Sequence, residues 1–182
     1  MSNKYYDEAG YGKRIGAYLI DSLFFLAFFL LFIRFFSENQ NVFLIGFVFL
    51  QLLLRLYFIL MNKYCRGTLG KKIFKLEIIN FNEEKADDKL SWKTVLLRQL
   101  LDIITVIPEI IIPIISVILI DNWQGYQTFS LALRAYKASP LGFSFIIISS
   151  IITLAEIIIL IINEENRSLH DLIAGTVVIE NL

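Results

Sequence analysis

Cysteine, histidine and proline are scarce in this sequence: its 182 residues contain one cysteine, one histidine and three prolines. A single cysteine, Cys65, cannot form a disulfide within the chain, and it excludes a metal site built from several thiolates. No spacing typical of a zinc, haem or calcium site is present, so we expect no metal or cofactor. Acidic and basic residues number seventeen each, so the net charge indicates no nucleic acid or other charged partner.

Apolar residues, by contrast, are abundant. They make up 57% of the chain and give it a mean hydropathy of +0.65, whereas a soluble domain is about 45–50% apolar. They are concentrated in four blocks, each close to the length of about 20 residues that crosses a bilayer. We therefore predict an all-α membrane protein, a four-helix transmembrane bundle that forms one domain over residues 1–182. The blocks cover residues 15–36, 42–61, 95–120 and 140–163.

The third block is the least regular of the four. Pro108 and Pro113 break it, because a proline inside a helix removes a backbone hydrogen bond and bends or ends the helix. Residues 95–120 therefore form either a full span or a re-entrant hairpin that dips into the membrane and returns. In the second case residues 121–139 would be cytoplasmic and the C-terminus would lie outside.

The basic residues are unevenly distributed between the segments that join these blocks. Residues 62–94 carry eight of them, whereas the link at residues 37–41 carries none. Lysine and arginine next to a span stay in the cytoplasm, so we predict a cytoplasmic loop at 62–94 and cytoplasmic N- and C-termini. We also expect this loop to contact anionic headgroups of the lipid bilayer. Its basic residues are Lys63, Arg66, Lys71, Lys72, Lys75, Lys85, Lys89 and Lys93.

Two short segments outside the four apolar blocks have the sequence pattern of β-strands. Residues 74–78 alternate apolar and polar side chains, the pattern of a half-buried strand. Residues 176–179 are the β-branched run Thr-Val-Val-Ile, which is typical of strands. We predict that the two segments pair in a short cytoplasmic β-ribbon, which requires both to lie on the same side of the membrane.

Three motifs occur in order along the chain: GKRIGAYLID at residues 12–21, GTLGKKI at residues 67–73 and RSLHDLIAGTVV at residues 167–178. Together they resemble the RDD family of bacterial membrane proteins, which is named for one arginine and two aspartates. Arg14 and Asp21 match the first two of these residues, and Asp171 is the match for the second aspartate. The resemblance implies a small multi-pass protein of the bacterial cytoplasmic membrane, with transport or ion exchange as one activity to consider.

Arg14 and Asp21 are seven residues apart and so lie on one face of the predicted first helix. Arg14 can extend its long side chain to the headgroups. The shorter Asp21 lies inside the span, where a carboxylate costs about 2.5–3.5 kcal/mol unless it is protonated, paired or facing water. Either Asp21 is a proton or cation site, or it makes a buried polar contact, for example to Arg55 or Arg98, that fixes helix packing.

Further charged groups lie in the third block. Arg98 and Asp102 are four residues apart on one helix face and can pair with each other. Glu109 follows Pro108, and broken helices in membranes often line ion or substrate paths; the alternative is a kink that only shapes the packing. The candidate ion, proton or structural polar network therefore consists of Arg14, Asp21, Arg98, Asp102, Glu109 and Asp171.

The adjacent pair His170 and Asp171 invites a catalytic interpretation. No nucleophile motif accompanies the pair, and a catalytic site also needs a third group in defined geometry. We expect Asp171 instead to cap a helix turn or to bind Arg14 or a lysine of the loop. We therefore predict that the protein is not an enzyme.

Two functions stay open on the sequence. One is a small cation- or proton-coupled transporter or transport subunit, which would need a homo-oligomer because four short helices make a thin bundle. The other is a non-transporting membrane adaptor, assembly or immunity protein, which would bind a membrane-protein partner through the cytoplasmic loop and the C-terminus.

Overall fold

The computed structural model describes residues 7–36, 38–81, 89–118 and 123–181. Within these ranges the chain is mostly helical, with seven helices and two strands. The four predicted apolar blocks coincide with α1, α2, α4 and α6 to within four residues at each end. In chain order the elements are α1 (Tyr11–Phe36), α2 (Gln40–Cys65), α3 (Leu69–Ile73), β1 (Leu76–Asn80), α4 (Trp92–Ile118), α5 (Tyr126–Ala138), α6 (Pro140–Ile162), α7 (Leu169–Ala174) and β2 (Thr176–Glu180).

Three of these helices are long and apolar enough to cross a membrane. At about 1.5 Å per residue, 26 residues extend about 39 Å, which exceeds the hydrocarbon core of roughly 30 Å. Large apolar side chains of the three helices are exposed, as lipid-facing residues are. The candidate spans are Tyr11–Phe36, Gln40–Cys65 and Gly142–Ile162, with mean hydropathies of 2.3, 2.3 and 2.9.

α4 differs from the prediction for residues 95–120, which placed breaks at Pro108 and Pro113. It is one continuous helix of 27 residues, so the chain does not form a re-entrant hairpin within this range. Each proline removes only one backbone hydrogen bond, and the other amides of this isoleucine-rich helix can keep theirs. The three candidate spans among the described residues do not include α4, and the count of four spans stays a prediction.

The sequence did not predict α5, which occupies most of the connection at residues 121–139. Phe129 and Tyr136 are buried, whereas Leu131 and Arg134 are exposed. The spacing of seven between the two aromatic residues is a helical spacing, and it was the signal available in the sequence.

β1 and β2 pair antiparallel, which confirms that the two predicted segments pair, while the cytoplasmic location of the ribbon stays a prediction. Ile78 lies opposite Val178 at the centre of the register. The chain before α1 joins the ribbon as well, since Glu8 bridges to Ile179 and the Ala9 N–H donates to the Val178 carbonyl at 2.9 Å. Described residues from the segment before α1, from the segment between α2 and α4 and from the segment after α6 therefore meet at the ribbon.

The two halves of the chain repeat one local geometry. In each half a long helix, α2 or α6, leads to a left-handed residue, a short helix, a second left-handed residue and a strand. Equivalent positions are 100 residues apart, so the central ribbon pair Ile78 and Val178 consists of equivalent residues. A local two-fold axis therefore passes between them. The left-handed residues are Arg66, Lys75, Asn166 and Gly175, with φ of 56°, 56°, 48° and 66°.

The described residues form two compact units, and whether they make the single predicted domain stays a prediction. In the first unit, apolar side chains of the ribbon pack with those of α1 and α4. In the second unit, rings from α1, α2 and α5 form an aromatic core, in which the ring centroids of Phe43 and Phe129 are 5.0 Å apart. The first unit lies within Met1–Phe24, Leu56–Leu101 and Leu154–Leu182, and the second within Phe25–Arg55 and Asp102–Thr153.

Candidate functional site

Asp171 lies at the third position of α7 and is fully buried. The Ser168 hydroxyl accepts a hydrogen bond from the Asp171 N–H at 3.4 Å, and the Asp171 carboxylate accepts one from the Ser168 N–H at 3.2 Å. This reciprocal capping box satisfies amides that are otherwise free at a helix N-terminus. The Ser-Leu-His-Asp segment thereby holds the carboxylate in a fixed position.

Two arginines from different helices bind this carboxylate. Arg14 of α1 donates to Oδ2 at 2.7 Å, and Arg98 of α4 donates to Oδ1. Thr176 of β2 accepts from Arg98 at 2.6 Å and donates to Asp171 at 3.1 Å. The three charged side chains are 8%, 8% and 0% exposed. We refer to Arg14, Arg98 and Asp171 as the Arg–Asp–Arg cluster.

The cluster fixes the charge state of its carboxylate. Burial alone would raise the pKa of Asp171, but the Arg98 and Arg14 guanidinium groups and the Ser168 N–H lower it well below its usual range. Both carboxylate oxygens already accept several hydrogen bonds. A carboxylate in this state cannot act as a proton acceptor near neutral pH.

Further hydrogen bonds tie the cluster to the ribbon. Arg14 also donates to the carbonyls of Ala9 and Val178, at 3.2 and 3.3 Å. Arg167, a motif residue to which the sequence assigned no role, donates to the carbonyls of Thr176 and Asp171 at 3.0 and 3.4 Å. The cluster therefore joins α1, α4, α7 and β2.

The other motif aspartate, Asp21, caps α3, the short helix of the first repeat. The first three backbone amides of α3 each donate to a side-chain oxygen. Because the N-terminus of a helix carries partial positive charge, it also stabilises a carboxylate placed there. The amides of Leu69, Gly70 and Lys71 donate to Tyr57, Asp21 and Thr68, at 2.9, 2.9 and 3.4 Å.

Asp21 is only 5% exposed, and its carboxylate is also hydrogen-bonded to the Tyr57 hydroxyl. The described bonds of this carboxylate go to Gly70 and Tyr57, not to an arginine as the sequence suggested for a packing contact. Arg14 and Asp21 share a helix face, but they bind different partners.

Gly70 allows α3 to approach α1 closely. A Cβ atom at this position would lie 2.0 Å from the Ala17 carbonyl oxygen and 3.1 Å from Cγ of Asp21. Only a hydrogen fits there, so the second glycine of the GTLG motif is required for the bond to Asp21.

The second repeat has a comparable cap. The Glu156 carboxylate of α6 accepts from the His170 N–H at 3.0 Å, and it also pairs with Nδ1 of the same histidine. The sequence neighbours His170 and Asp171 thus bind Glu156 and the two arginines, respectively.

Lys71 is a functional candidate that the sequence interpretation missed. It occupies in α3 the position that Asp171 occupies in α7, and the 100-residue repeat is the signal that could have found it. Burial, together with Arg98 and Arg14, lowers the pKa of the Lys71 ammonium group from 10.5 to about 8, against the raising effect of Asp171 and Asp21. Lys71 therefore titrates close to physiological pH.

The remaining predicted site residues are Asp102 and Glu109. Asp102 belongs to the second compact unit, and its pairing with Arg98 stays a prediction. The side chain of Glu109 lies outside the described residues. An ion- or proton-binding role for either residue also stays a prediction.

Known proteins resemble this chain over different lengths. YteJ of Bacillus subtilis (strain 168), named as an uncharacterized membrane protein, is 49% identical over 43 residues. That segment is 24% of this chain and 24% of the relative, so the match spans about a quarter of the relative's length. No solved structure matches the chain.

The sequence model of the RDD family matches residues 8–175. This range includes Arg14, Asp21 and Asp171, whose contacts are described above. Because the match covers most of the chain, the protein belongs to the RDD family.

Proposed function

We propose that this protein is a four-span protein of the bacterial cytoplasmic membrane that acts as a non-transporting adaptor. The observation that carries the proposal is the Arg–Asp–Arg cluster, in which one buried carboxylate binds arginines from α1 and α4. These helices begin the two repeats. A carrier moves its repeats relative to each other. Such a movement would separate Arg14 or Arg98 from Asp171, and removing one partner of a buried ion pair costs about 3–5 kcal/mol.

The ribbon supports four spans by a parity argument. β1 and β2 are hydrogen-bonded, so the chain between them must cross the membrane an even number of times. α6 contains the candidate span Gly142–Ile162, which would supply one crossing. Among the other described helices in that interval, α4 is the one whose 27 residues, about 40 Å, are long enough for the second.

The internal repeat supports the same assignment. α1, α2, α3 and β1 occur in the same order as α4, α6, α7 and β2, with α5 inserted in the second repeat. α4 thus stands where the candidate span α1 stands in the first repeat, and each of the two contributes one arginine to Asp171.

The orientation follows from the charges beside the ribbon. Lys63, Arg66, Lys72 and Lys75 lie in or next to the segment that forms α3 and β1. Because lysine and arginine beside spans stay in the cytoplasm, we place the ribbon and both termini on the cytoplasmic side. The short link between α1 and α2 then lies outside.

The adaptor role would use the surface built from α3, β1, α7 and β2. The capping bonds and the ion pairs hold these elements to the helix ends, so the surface is a fixed platform. The partner we propose is another membrane protein or a second copy of this chain, with assembly and immunity as possible settings. We propose no catalytic role.

Transport is the second candidate, and two observations favour it. Carriers are often built from repeats related by an axis along the membrane normal. The ribbon has a local two-fold axis between Ile78 and Val178, which would run along the membrane normal in a carrier of this kind. Asp21 is a carboxylate inside a candidate span, where an ionisable group often marks an ion path. In this scheme the Arg–Asp–Arg cluster would act as a cytoplasmic gate.

Ion flux in proteoliposomes separates the two candidates. Under the adaptor proposal, sodium, potassium or lithium gradients cause no proton movement above that of empty liposomes. Cation-driven proton flux that Asp21→Asn abolishes, while the exposed-site control Glu38→Gln keeps it, would overturn the proposal in favour of transport. Circular dichroism of both variants shows whether each is folded.

A further inference from the structure

We propose that α3 and the start of β1 form a binding site for an anionic phospholipid of the cytoplasmic leaflet. The phosphate would lie in a cavity of about 300 Å³ lined by Lys72, Lys75, Leu76, Glu77 and Asn181. The acyl chains would run along exposed apolar side chains of α3. This inference rests on the proposed cytoplasmic orientation, but not on the choice between adaptor and carrier.

The charge of the cavity favours an anion. Its one acidic side chain, Glu77, is engaged by Lys72 at 2.8 Å and by Arg66 at 3.8 Å. Burial would raise the pKa of Glu77, but hydrogen bonds from Lys72 and Asn181 lower it. The carboxylate is therefore ionised and already balanced, and the cations around it are in excess.

Lys75 supplies further positive charge. Its backbone is left-handed, with φ of 56°, a conformation that is uncommon outside glycine. Two hydrogen bonds hold it there: its N–H donates to the Lys72 carbonyl at 3.0 Å, and its carbonyl accepts from the Asn181 N–H at 2.8 Å. The exposed Lys75 ammonium group forms no ion pair within the described ranges, so it is available to a phosphate.

The apolar part of the site is on α3 itself. Leu69 and Ile73 are four residues apart on one helix face and are 42% and 64% exposed. In water, such side chains beside lysines would be an unfavourable surface. At a membrane surface they can contact acyl chains while the lysines reach the phosphates.

Aromatic residues indicate that this end of the helices lies at the membrane surface. Tyr64 at the end of α2 and Trp92 at the start of α4 are exposed. Their rings form an edge-to-face pair, with centroids 6.1 Å apart. Lys63 lies 5.4 Å from the Trp92 ring. Tyrosine and tryptophan are enriched at membrane–water interfaces. A phospholipid therefore fits the site better than a soluble anion, which has no apolar part to contact Leu69 and Ile73.

Native mass spectrometry of the full chain in detergent tests the proposal. Dioleoylphosphatidylglycerol should bind, and dioleoylphosphatidylcholine should bind more weakly. Each lysine near an anionic surface contributes a factor of about five, so the variant Lys72→Gln/Lys75→Gln should bind phosphatidylglycerol about 25-fold more weakly. The matched control Lys137→Gln, which removes an exposed charge from α5, should bind like the wild type.

Equal binding of the two lipids, or equal loss in the Lys137→Gln control, would overturn the site. Displacement of the lipid by millimolar inorganic phosphate would show that the cavity takes free phosphate instead. If the double variant is unfolded by circular dichroism, the single Lys75→Gln variant decides, because no ion pair of the described residues is lost with it. None of these outcomes affects the ion-flux result, so the two proposals fail separately.

Discussion

Arg14 and Asp171 are 157 residues apart in the sequence, yet they form a buried ion pair with an Nη1–Oδ2 distance of 2.7 Å. Arg98 binds the other oxygen of the same carboxylate. Two buried positive charges therefore depend on one negative charge. Breaking such a pair from one side is costly because it leaves an uncompensated charge in a medium of low dielectric constant.

Asp171→Asn should strongly destabilise the protein. The substitution keeps the size of the side chain but leaves Arg14 and Arg98 buried without a counter-charge, which costs about 3–5 kcal/mol. The loss is measured by thermal unfolding in detergent, followed by circular dichroism.

The matched control is Glu165→Gln. Glu165 pairs with Arg167 at 3.3 Å, but its side chain is 35% exposed, and partly exposed pairs contribute about 0–1 kcal/mol. If the two variants unfold at the same temperature, the cluster is not the stabilising element described here.

Gly70→Ala should destabilise the protein by about 1–3 kcal/mol, the usual cost of overpacking. The added methyl group would lie 2.0 Å from the Ala17 carbonyl oxygen, so α3 must move away from α1 and lengthen its bond to Asp21. Gly12→Ala is the control, because nothing lies within 4 Å of a Cβ atom there. Equal stability of the two variants in detergent would contradict the close approach.

The long helices and the ribbon could be predicted from local patterns. The apolar blocks give α1, α2, α4 and α6 because lipid-facing and protein-facing positions are both apolar in a span. The alternation at residues 74–78 and the run at residues 176–179 indicate the two strands, although β1 begins only at Leu76, because Lys75 has a left-handed backbone. The continuity of α4 could not be predicted in this way. A proline shows that one backbone hydrogen bond is lost, but it does not show whether the remaining hydrogen bonds keep the helix intact.

Among the charged residues, the sequence predicted the partners of Asp171 only in part: its helix cap and its bond to Arg14 are confirmed, whereas its bond to Arg98 was not expected. Spacing along one helix suggested an Arg98–Asp102 pair, which stays a prediction, whereas no local pattern indicated the bond between Arg98 and Asp171, which lies 73 residues further along the chain. Likewise Asp21 bonds to the Gly70 amide, 49 residues away. A sequence shows the side chains that need partners, but only the fold shows which backbone amides and carboxylates come within reach.

Lys71 should give the protein a stability that rises with pH. Its pKa is lowered from 10.5 to about 8 in the fold, so between these values the unfolded chain binds more protons than the native chain, and unfolding becomes less favourable as pH increases. Below pH 8 the cost of burying the charged ammonium group is fully present. The charged groups around it are Arg14 and Asp21 of α1, Arg98 of α4 and Asp171 of α7.

The unfolding temperature measured from pH 8 to pH 10 checks this effect. Lys71→Met should remove most of the rise, while Lys72→Met, on the exposed side of α3, should keep it. An identical pH profile for wild type and Lys71→Met would show that Lys71 titrates normally.

A disulfide should form between cysteines that replace Ile78 and Val178. The Ile78 N–H donates to the Arg66 carbonyl and the Val178 carbonyl accepts from Ala9, so the two residues form a non-hydrogen-bonded pair of the ribbon. The Cα atoms of such a pair are about 4.5 Å apart, within the disulfide range.

Oxidation of membranes from the Cys65→Ser background, followed by thiol counting, detects this bond. Ile78→Cys/Val177→Cys is the control, because adjacent strand residues point to opposite faces. Cross-linking in the control but not in the test variant would mean a different register.

The proposed fourth span, α4, predicts that Gln124 lies on the side of the membrane opposite the ribbon. Gln124, between α4 and α5, and Glu38, between α1 and α2, are exposed, as is Cys65 at the end of α2. In a Cys65→Ser background, a membrane-impermeant maleimide should label Gln124→Cys and Glu38→Cys in intact cells. The native Cys65 should react only in inverted vesicles.

Labelling of Gln124→Cys only in inverted vesicles would place both ends of α6 on the ribbon side. A single straight helix cannot cross the membrane under that condition, so either the span in α6 or the four-span topology would have to be abandoned.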